Sequence, residues 1–253
     1  IDAGDDADVI QINGGQNTVF GGSGTDRITV ATGTNRIDAG DDADTLQLNN
    51  GTNFVAAGAG ADTITAVSGI NSIDAGEGAD VIVLNAGNNT VLGQSDNDSI
   101  TAWNGTNAID AGDGADNITL KAGNNSVMAG TGDDWVTASA GTNTIDTGDG
   151  ANTVVLEGGN NTVTAGVDND TLRLINGTNM VSSGSGADTI TASSGTNTIE
   201  ADDDADVITL SGGNNTVWGG SGADSITASN GTNVIDAGEG NDTLIANNGT
   251  NTI

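Results

Sequence analysis

Apolar residues in this chain return at a fixed interval. Ile1, Val19, Ile37, Val55 and Ile73 begin an evenly spaced column that continues to Ile253, and every member is Ile or Val. A second column, Ile10, Ile28, Leu46, Ile64 and onward to Leu244, keeps the same step and holds only Ile, Val or Leu. Around both columns apolar and polar residues alternate, which is the period of a strand and not of a helix. A Gly-rich stretch separates one alternating segment from the next. Two strands and two turns per repeat predict a solenoid in which each column becomes a ladder along a parallel sheet. The fold class expected is all-β: a parallel β-roll or β-solenoid of 14 coils of 18 residues with two parallel sheets.

The repetition is strict. IDAGDDAD at 1–8 recurs at 37–44, then as IDAGEGAD at 73–80 and IDAGDGAD at 109–116. No coil carries an insertion or a deletion. Further inward positions are an alternating large and small column (Leu48, Ala66, Leu84, Ala102, Leu120, Ala138) and a small column such as Ala39, Ala57 and Ala75. The core expected is a thin double layer that buries little per coil, so coils stabilise one another only as an array. Residues 1–253 read as a single solenoid, a segment of a longer repeat array, with no domain boundary. The alternation of Ile-Asp coils with Val coils slips by one coil at 181–188.

Composition narrows the chemistry. The 253 residues include 41 Gly and no Pro, Cys, His or Tyr, with 35 acids against 4 bases and a net charge of −31. Without Cys there is no disulfide framework and no thiolate metal site. Without His the usual general base and most transition-metal ligands are missing. Four bases cannot neutralise a phosphate backbone, so nucleic acid is not an expected partner. No apolar run approaches the length of a membrane span, so no membrane insertion is expected. No nucleophile–base pair stands out, and an enzyme is not expected.

The acids are ordered as well as numerous. All but Glu157 fall in the window 2–8 or its equivalents in later coils, and none of Arg27, Arg36, Lys121 or Arg173 does. Coil stacking therefore gathers the carboxylates on one edge. The sharpest column is Asp8, Asp26, Asp44, Asp62, Asp80, Asp98, Asp116, Asp134, Asn152, Asp170, Asp188, Asp206, Asp224 and Asp242. Carboxylates on adjacent rungs, ~5 Å apart, repel by about 0.8 kcal/mol per pair even at the dielectric of water. Such a ladder needs cations between its rungs or raised pKa values. Carboxylate and carbonyl oxygens at Gly-rich turns suit Ca2+, and the lack of His and Cys argues against softer metals.

GGSGTDRIT at 21–29 and GGSGADSIT at 219–227 fit the pattern G-G-x-G-x-D-x-U-x at every position, and AGAGADTIT at 57–65 keeps most of it. This resembles the RTX nonapeptide repeat of secreted bacterial proteins, a calcium-bound parallel β-roll. The resemblance covers the first half of all fourteen coils. It implies that turn Gly carbonyls and the thirteen Asp residues of the ladder hold up to about thirteen Ca2+ along one edge. Departures are Gln94 and Asp202 at the second position of the motif, and Asp6, Asp42, Asp96, Asp168 and Asp204 at the fourth. An Asp at the fourth position would either add a ligand or simply adopt the positive φ that Asp tolerates. Asn152 breaks the ladder and should weaken one or two gaps.

The second edge is neutral. Gly15, Gly33, Gly51 and their equivalents to Gly249 are all Gly, and Asn17, Asn35, Asn53 and their equivalents to Asn251 are all Asn. Stacked Asn amides can bond to the turn backbone and to one another, satisfying that edge with no ion. Between Gly and Asn lies an outward column, Thr or Asn in twelve of fourteen coils, including Thr34, Asn88 and Thr106. Such Thr/Asn arrays look like ice-binding faces, while turn chemistry alone also favours these residues.

The functional expectation is a calcium-stiffened extracellular structural solenoid at the cell surface: a fibre, surface-layer or adhesin-stalk segment of a secreted bacterial protein. The alternatives are an ice-binding segment, or the calcium-triggered folding region of a secreted toxin or enzyme. Ile253 stands in the column of Ile1, and neither end carries a cap. Calcium and copies of the same chain, head to tail, or the rest of a longer array are therefore the expected partners.

Overall fold

The computed structural model describes residues 1–253. All regular structure is β, wound as a parallel solenoid of about 14 coils with two main parallel sheets and about 18 residues per turn. The chain forms two compact units, Ile1–Gly130 and Thr131–Ile253. No helix is long and apolar enough to cross a membrane.

In the first unit the register follows the sequence period. Asn17 pairs with Asn35, Val19 with Ile37 and Phe20 with Asp38 on one sheet. On the other, Ile28 pairs with Leu46 and Val30 with Leu48. Strands of the first sheet are eight residues long, as in Gln16–Ser23 and Thr34–Asp41, and run on into the Gly-rich turn. Strands of the second sheet are four residues long, as in Arg27–Val30.

The second unit keeps the same step, with Val163 opposite Val181 and Leu172 opposite Ile190. Its first-sheet strands are shorter. Thr142–Asp146 and Thr178–Ser182 have five residues, and beyond them most turns pair through single bridges such as Val167 to Ser185, with Ser221–Gly222 pairing Glu239–Gly240 near the end.

The inward columns are those the alternation predicts. Val19, Ile28, Ile37, Leu46, Leu48, Ile64 and Ala66 lie in the first core, and Ile145, Val154, Leu172 and Ile190 in the second. Each fully buried aliphatic side chain is worth roughly 1.5–3 kcal/mol. Only a few such groups per coil oppose the entropy of ordering the whole coil, so one coil has no stability of its own. Outward residues between them, including Phe20, Leu92 and Met128, remain largely exposed.

Stacking also explains the Gly columns. Gly22 has φ +113 and Gly33 has φ +112, and a Cβ on either would run into the carbonyl of the coil before it, at Gly4 and Gly15. At these positions the missing side chain lets the turns approach at the spacing of a sheet, while Gln94 and Asp202 fill the Gly22 column in two coils with positive φ of their own.

Candidate metal centre

On the acidic edge the Asp ladder turns inward. Asp26, Asp44, Asp62 and Asp80 are each 1 % exposed, and Asp170, Asp188, Asp206 and Asp224 are equally covered. Asp116 and Asp134 are buried too, while Asp8 and Asp242 lie half-buried. One carboxylate oxygen of each rung has a fixed task. The backbone N–H of Asp26 donates to Oδ1 of Asp44 across 2.7 Å, that of Asp44 to Asp62 across 2.7 Å, and that of Asp80 to Asp98 across 2.8 Å. Asp98 donates to Asp116 at 2.7 Å. In the second unit Asp170 donates to Asp188 and Asp188 to Asp206, both at 2.8 Å, and Asp224 donates to Asp242 at 3.0 Å.

The other oxygen has no such partner. Oδ2 of Asp8, Asp26, Asp44, Asp62, Asp80 and Asp98 is buried without a hydrogen bond, as is Oδ2 of Asp170, Asp188, Asp206 and Asp224. A buried acceptor left unpaired costs ~1–3 kcal/mol, and more when it is charged. Repeated rung after rung, that cost offsets a large part of what the thin core supplies, and a positive charge beside Oδ2 would relieve it.

The electrostatics agree. Burial, with further contributions from carboxylates on neighbouring rungs, pushes Asp44, Asp62 and Asp80 up to about 6. The same causes raise Asp98, Asp170 and Asp206 to about 7. The backbone N–H bonds oppose the rise without cancelling it. These are the raised values that the sequence ladder leads one to expect in the absence of cations.

Asn152 shows what lies around the orphaned atom. It is 1 % exposed and keeps the rung: Asp134 N–H donates to its Oδ1 at 2.9 Å, and its own N–H donates to Oδ1 of Asp170 at 2.7 Å. Its Nδ2 donates to the carbonyl of Gly150 at 2.9 Å and reaches that of Gly148 at 3.5 Å. At Asn152 the second terminal atom thus faces the turn carbonyls at motif positions two and four. In an Asp coil that atom is an anionic oxygen, giving a donor set made only of oxygen. Such a set fits Ca2+, which takes 6–8 oxygens from carboxylates, carbonyls and water. No three acidic side chains converge on one point. Each rung offers ladder carboxylate, and the backbone provides carbonyls beside it.

The fourth-position aspartates shape the turn. Asp6, Asp42, Asp96, Asp168 and Asp204 have φ between 74 and 78, the left-handed region that Gly occupies in the other coils. Their side chains are exposed. Asp42 and Asp96 accept from the backbone N–H of Gly24 at 3.1 Å and of Gly78 at 3.2 Å, one coil back. They also add to the negative potential that lifts Asp44 and Asp98. Gln94 and Asp202 take positive φ in the same way, at 81 and 71.

Two groups at this edge do not stand out in the sequence. Thr147 and Ser183 occupy the small first position of the motif, fully buried. Their hydroxyls donate to the carbonyls of Ala165 at 2.8 Å and Ala201 at 3.0 Å. The only signal is a hydroxyl in a column of Ala and Gly.

The neutral edge is complete in itself. Nδ2 of Asn35 donates to Oδ1 of Asn53 at 2.9 Å and to the carbonyl of Thr32 at 3.4 Å. Asn71 bonds to Asn89 and Asn89 to Asn107 at 2.8 and 2.7 Å. In the second unit Asn161 bonds to Asn179, and Asn197 to Asn215, each at 2.8 Å. An amide carries both donor and acceptor, so the ladder closes on itself with no charge to balance.

Known proteins give the same reading. The family model of the RTX calcium-binding nonapeptide repeat matches ten stretches: 1–28, 29–64, 57–91, 65–100, 83–118, 121–154, 138–172, 146–180, 182–217 and 218–253. No curated protein matches the chain significantly. Among solved structures, a hyperactive, Ca2+-dependent, β-helical antifreeze protein from an Antarctic bacterium is similar over 95% of this chain and 80% of its own. The TM-score is 0.61 at 18% identity, a likeness of fold alone. Matched from 1 to 253 by that repeat and carrying an all-oxygen edge suited to its ion, the chain belongs to the RTX calcium-binding nonapeptide repeat family.

Proposed function

We propose that this chain is a calcium-stiffened structural solenoid of a secreted protein, working outside the cell as a segment of a fibre, surface layer or adhesin stalk. The observation that carries the reading is the contrast between the edges: ten buried Oδ2 atoms without hydrogen bonds along one, and a self-satisfied amide ladder along the other. A chain of −31 charge and low core content is only weakly stable where Ca2+ is scarce and firmly folded where it is abundant. That coupling suits export as a flexible chain followed by stiffening outside. Single-molecule extension tests it. In millimolar Ca2+ the chain should resist extension as a folded element, and in EGTA it should give way at a much lower force. Equal resistance in both would refute the reading.

A second reading is ice binding. It is favoured by the outward Thr/Asn column of the neutral edge, where Thr34, Asn88 and Thr106 are exposed, and by the antifreeze activity named for the similar solved structure. Thermal hysteresis of the calcium-loaded chain decides it. Ice crystals that grow without hysteresis or shaping would remove it.

A further inference from the structure

We propose that Asn152 is a built-in substitute for a calcium ion, so that its coil is the one rung of the acidic edge that closes without metal. The proposal rests on the calcium reading of the Asp ladder and adds a claim specific to this residue.

The ladder has fourteen positions, and Asn152 is the one that is not Asp. It preserves what every rung needs, since its Oδ1 accepts from Asp134 N–H and its own N–H donates to Asp170. It differs at the second terminal atom. Where Asp170, Asp188, Asp206 and Asp224 leave a buried Oδ2 unpaired, Asn152 presents an N–H donor to the carbonyls of Gly150 and Gly148. A cation between carboxylate and carbonyls neutralises charge and bridges oxygen to oxygen. The amide neutralises by carrying no charge, and it bridges by donating.

The same coil adds a side-chain bond to the coil that follows it. Thr147, in a column otherwise filled by Ala, Gly and one Ser, donates its hydroxyl to Ala165 O at 2.8 Å. Its turn is thus held by side-chain donors at both the first and the sixth position of the motif. A Ca2+ ion arriving here would find one carboxylate fewer and the Gly150 carbonyl already engaged. The ladder carboxylates on either side, of Asp134 and Asp170, then belong to separate runs of metal sites.

The test is a count of bound ions together with amide exchange. Wild-type chain and Asn152→Asp are equilibrated with Ca2+, and bound calcium is measured per chain by elemental analysis after removal of free ion. Asn152→Asp should bind at least one more Ca2+. Asp188→Asn, the reverse change two coils on, should bind at least one fewer and stay folded. In EGTA, amide exchange over residues 145–156 should be slower than over the equivalent 181–192, and Asn152→Asp should erase the difference.

Unchanged stoichiometry in Asn152→Asp, with the wild type loaded, would overturn the proposal while leaving the calcium edge intact. Equal exchange of the two segments in EGTA would also overturn it. A wild type that binds no Ca2+ would overturn both this proposal and the reading beneath it.

Discussion

The backbone N–H of Asp80 donates to Oδ1 of Asp98 across 2.8 Å, one coil away. That bond ties a charged side chain into the backbone ladder and fixes its orientation. It also commits one oxygen of the carboxylate and turns the other inward, where Oδ2 of Asp98 has no protein partner. The edge is therefore a row of half-satisfied anions, and its behaviour follows from that.

Removing the committed oxygen should hurt with or without calcium. Asp98→Ala leaves Asp80 N–H buried and unpaired, a loss of ~1–3 kcal/mol. Asp98→Asn keeps the acceptor and should cost less in EGTA than Asp98→Ala does. Chemical denaturation of the two variants in EGTA and in Ca2+ compares them. Equal losses in EGTA would show that the N–H bond contributes nothing.

The pH dependence should invert with calcium. Without metal, Asp98, Asp170 and Asp206 titrate at about 7 in the fold, against an ordinary value of 3.8. A raised folded value means that the fold binds protons more tightly than the unfolded chain does. The stabilisation is complete below about pH 4 and is lost as pH rises through about 7. Thermal melts in EGTA should therefore give a higher Tm at pH 4 than at pH 7.5. Ca2+ requires the deprotonated form, so calcium affinity should fall as pH drops from about 7 through about 6. A calcium affinity independent of pH over that range would count against carboxylates of raised pKa as the ligands.

The neutral edge should be insensitive to calcium. Asn107→Ala removes its donation to Asn125 at 2.8 Å and the acceptor that Asn89 uses at 2.7 Å. The cost expected is ~1–3 kcal/mol for each buried amide group left unpaired. Added Ca2+ should leave that difference between variant and wild type unchanged. Restoration by calcium would mean that this edge binds metal as well.

The core alternation is testable by overpacking. Ala102 is fully buried between Leu84 and Leu120 of adjacent coils. Ala102→Leu puts three leucines on consecutive rungs and should cost ~1–3 kcal/mol. The double variant Ala102→Leu with Leu84→Ala conserves volume and should recover part of it. Denaturation midpoints of the single and double variants measure this.

Much of the architecture is legible in the residues alone. A column such as Val19, Ile37, Val55 fixes the step from coil to coil, and the alternation around Ile28 fixes which side chains turn inward. The Asp ladder is equally visible, because a period that places Ile28 against Leu46 must also place Asp26 against Asp44. Three features are not visible there. The sequence cannot say that Oδ1 of Asp44 is already bonded to Asp26 N–H, because that depends on how the turn tilts its peptide planes. It leaves the role of Asp42 open between ligand and turn former, and the backbone at φ 76 together with the bond from Gly24 shows how the residue forms the turn. The slip at 181–188 does not foretell the two compact units, which divide at Gly130 and Thr131. Strand length changes with them, from eight residues at Thr34–Asp41 to five at Thr142–Asp146. Nothing in the structure accounts for that change.

The central claim is that Ca2+ completes the Asp edge and not the Asn edge. Long-wavelength anomalous diffraction from crystals grown in Ca2+ measures it directly. The map should show peaks beside Oδ2 of Asp26, Asp44, Asp62, Asp80 and their equivalents, and none beside Asn35, Asn53 or Asn71. An Asp edge without peaks, or equal peaks on both edges, would contradict the account.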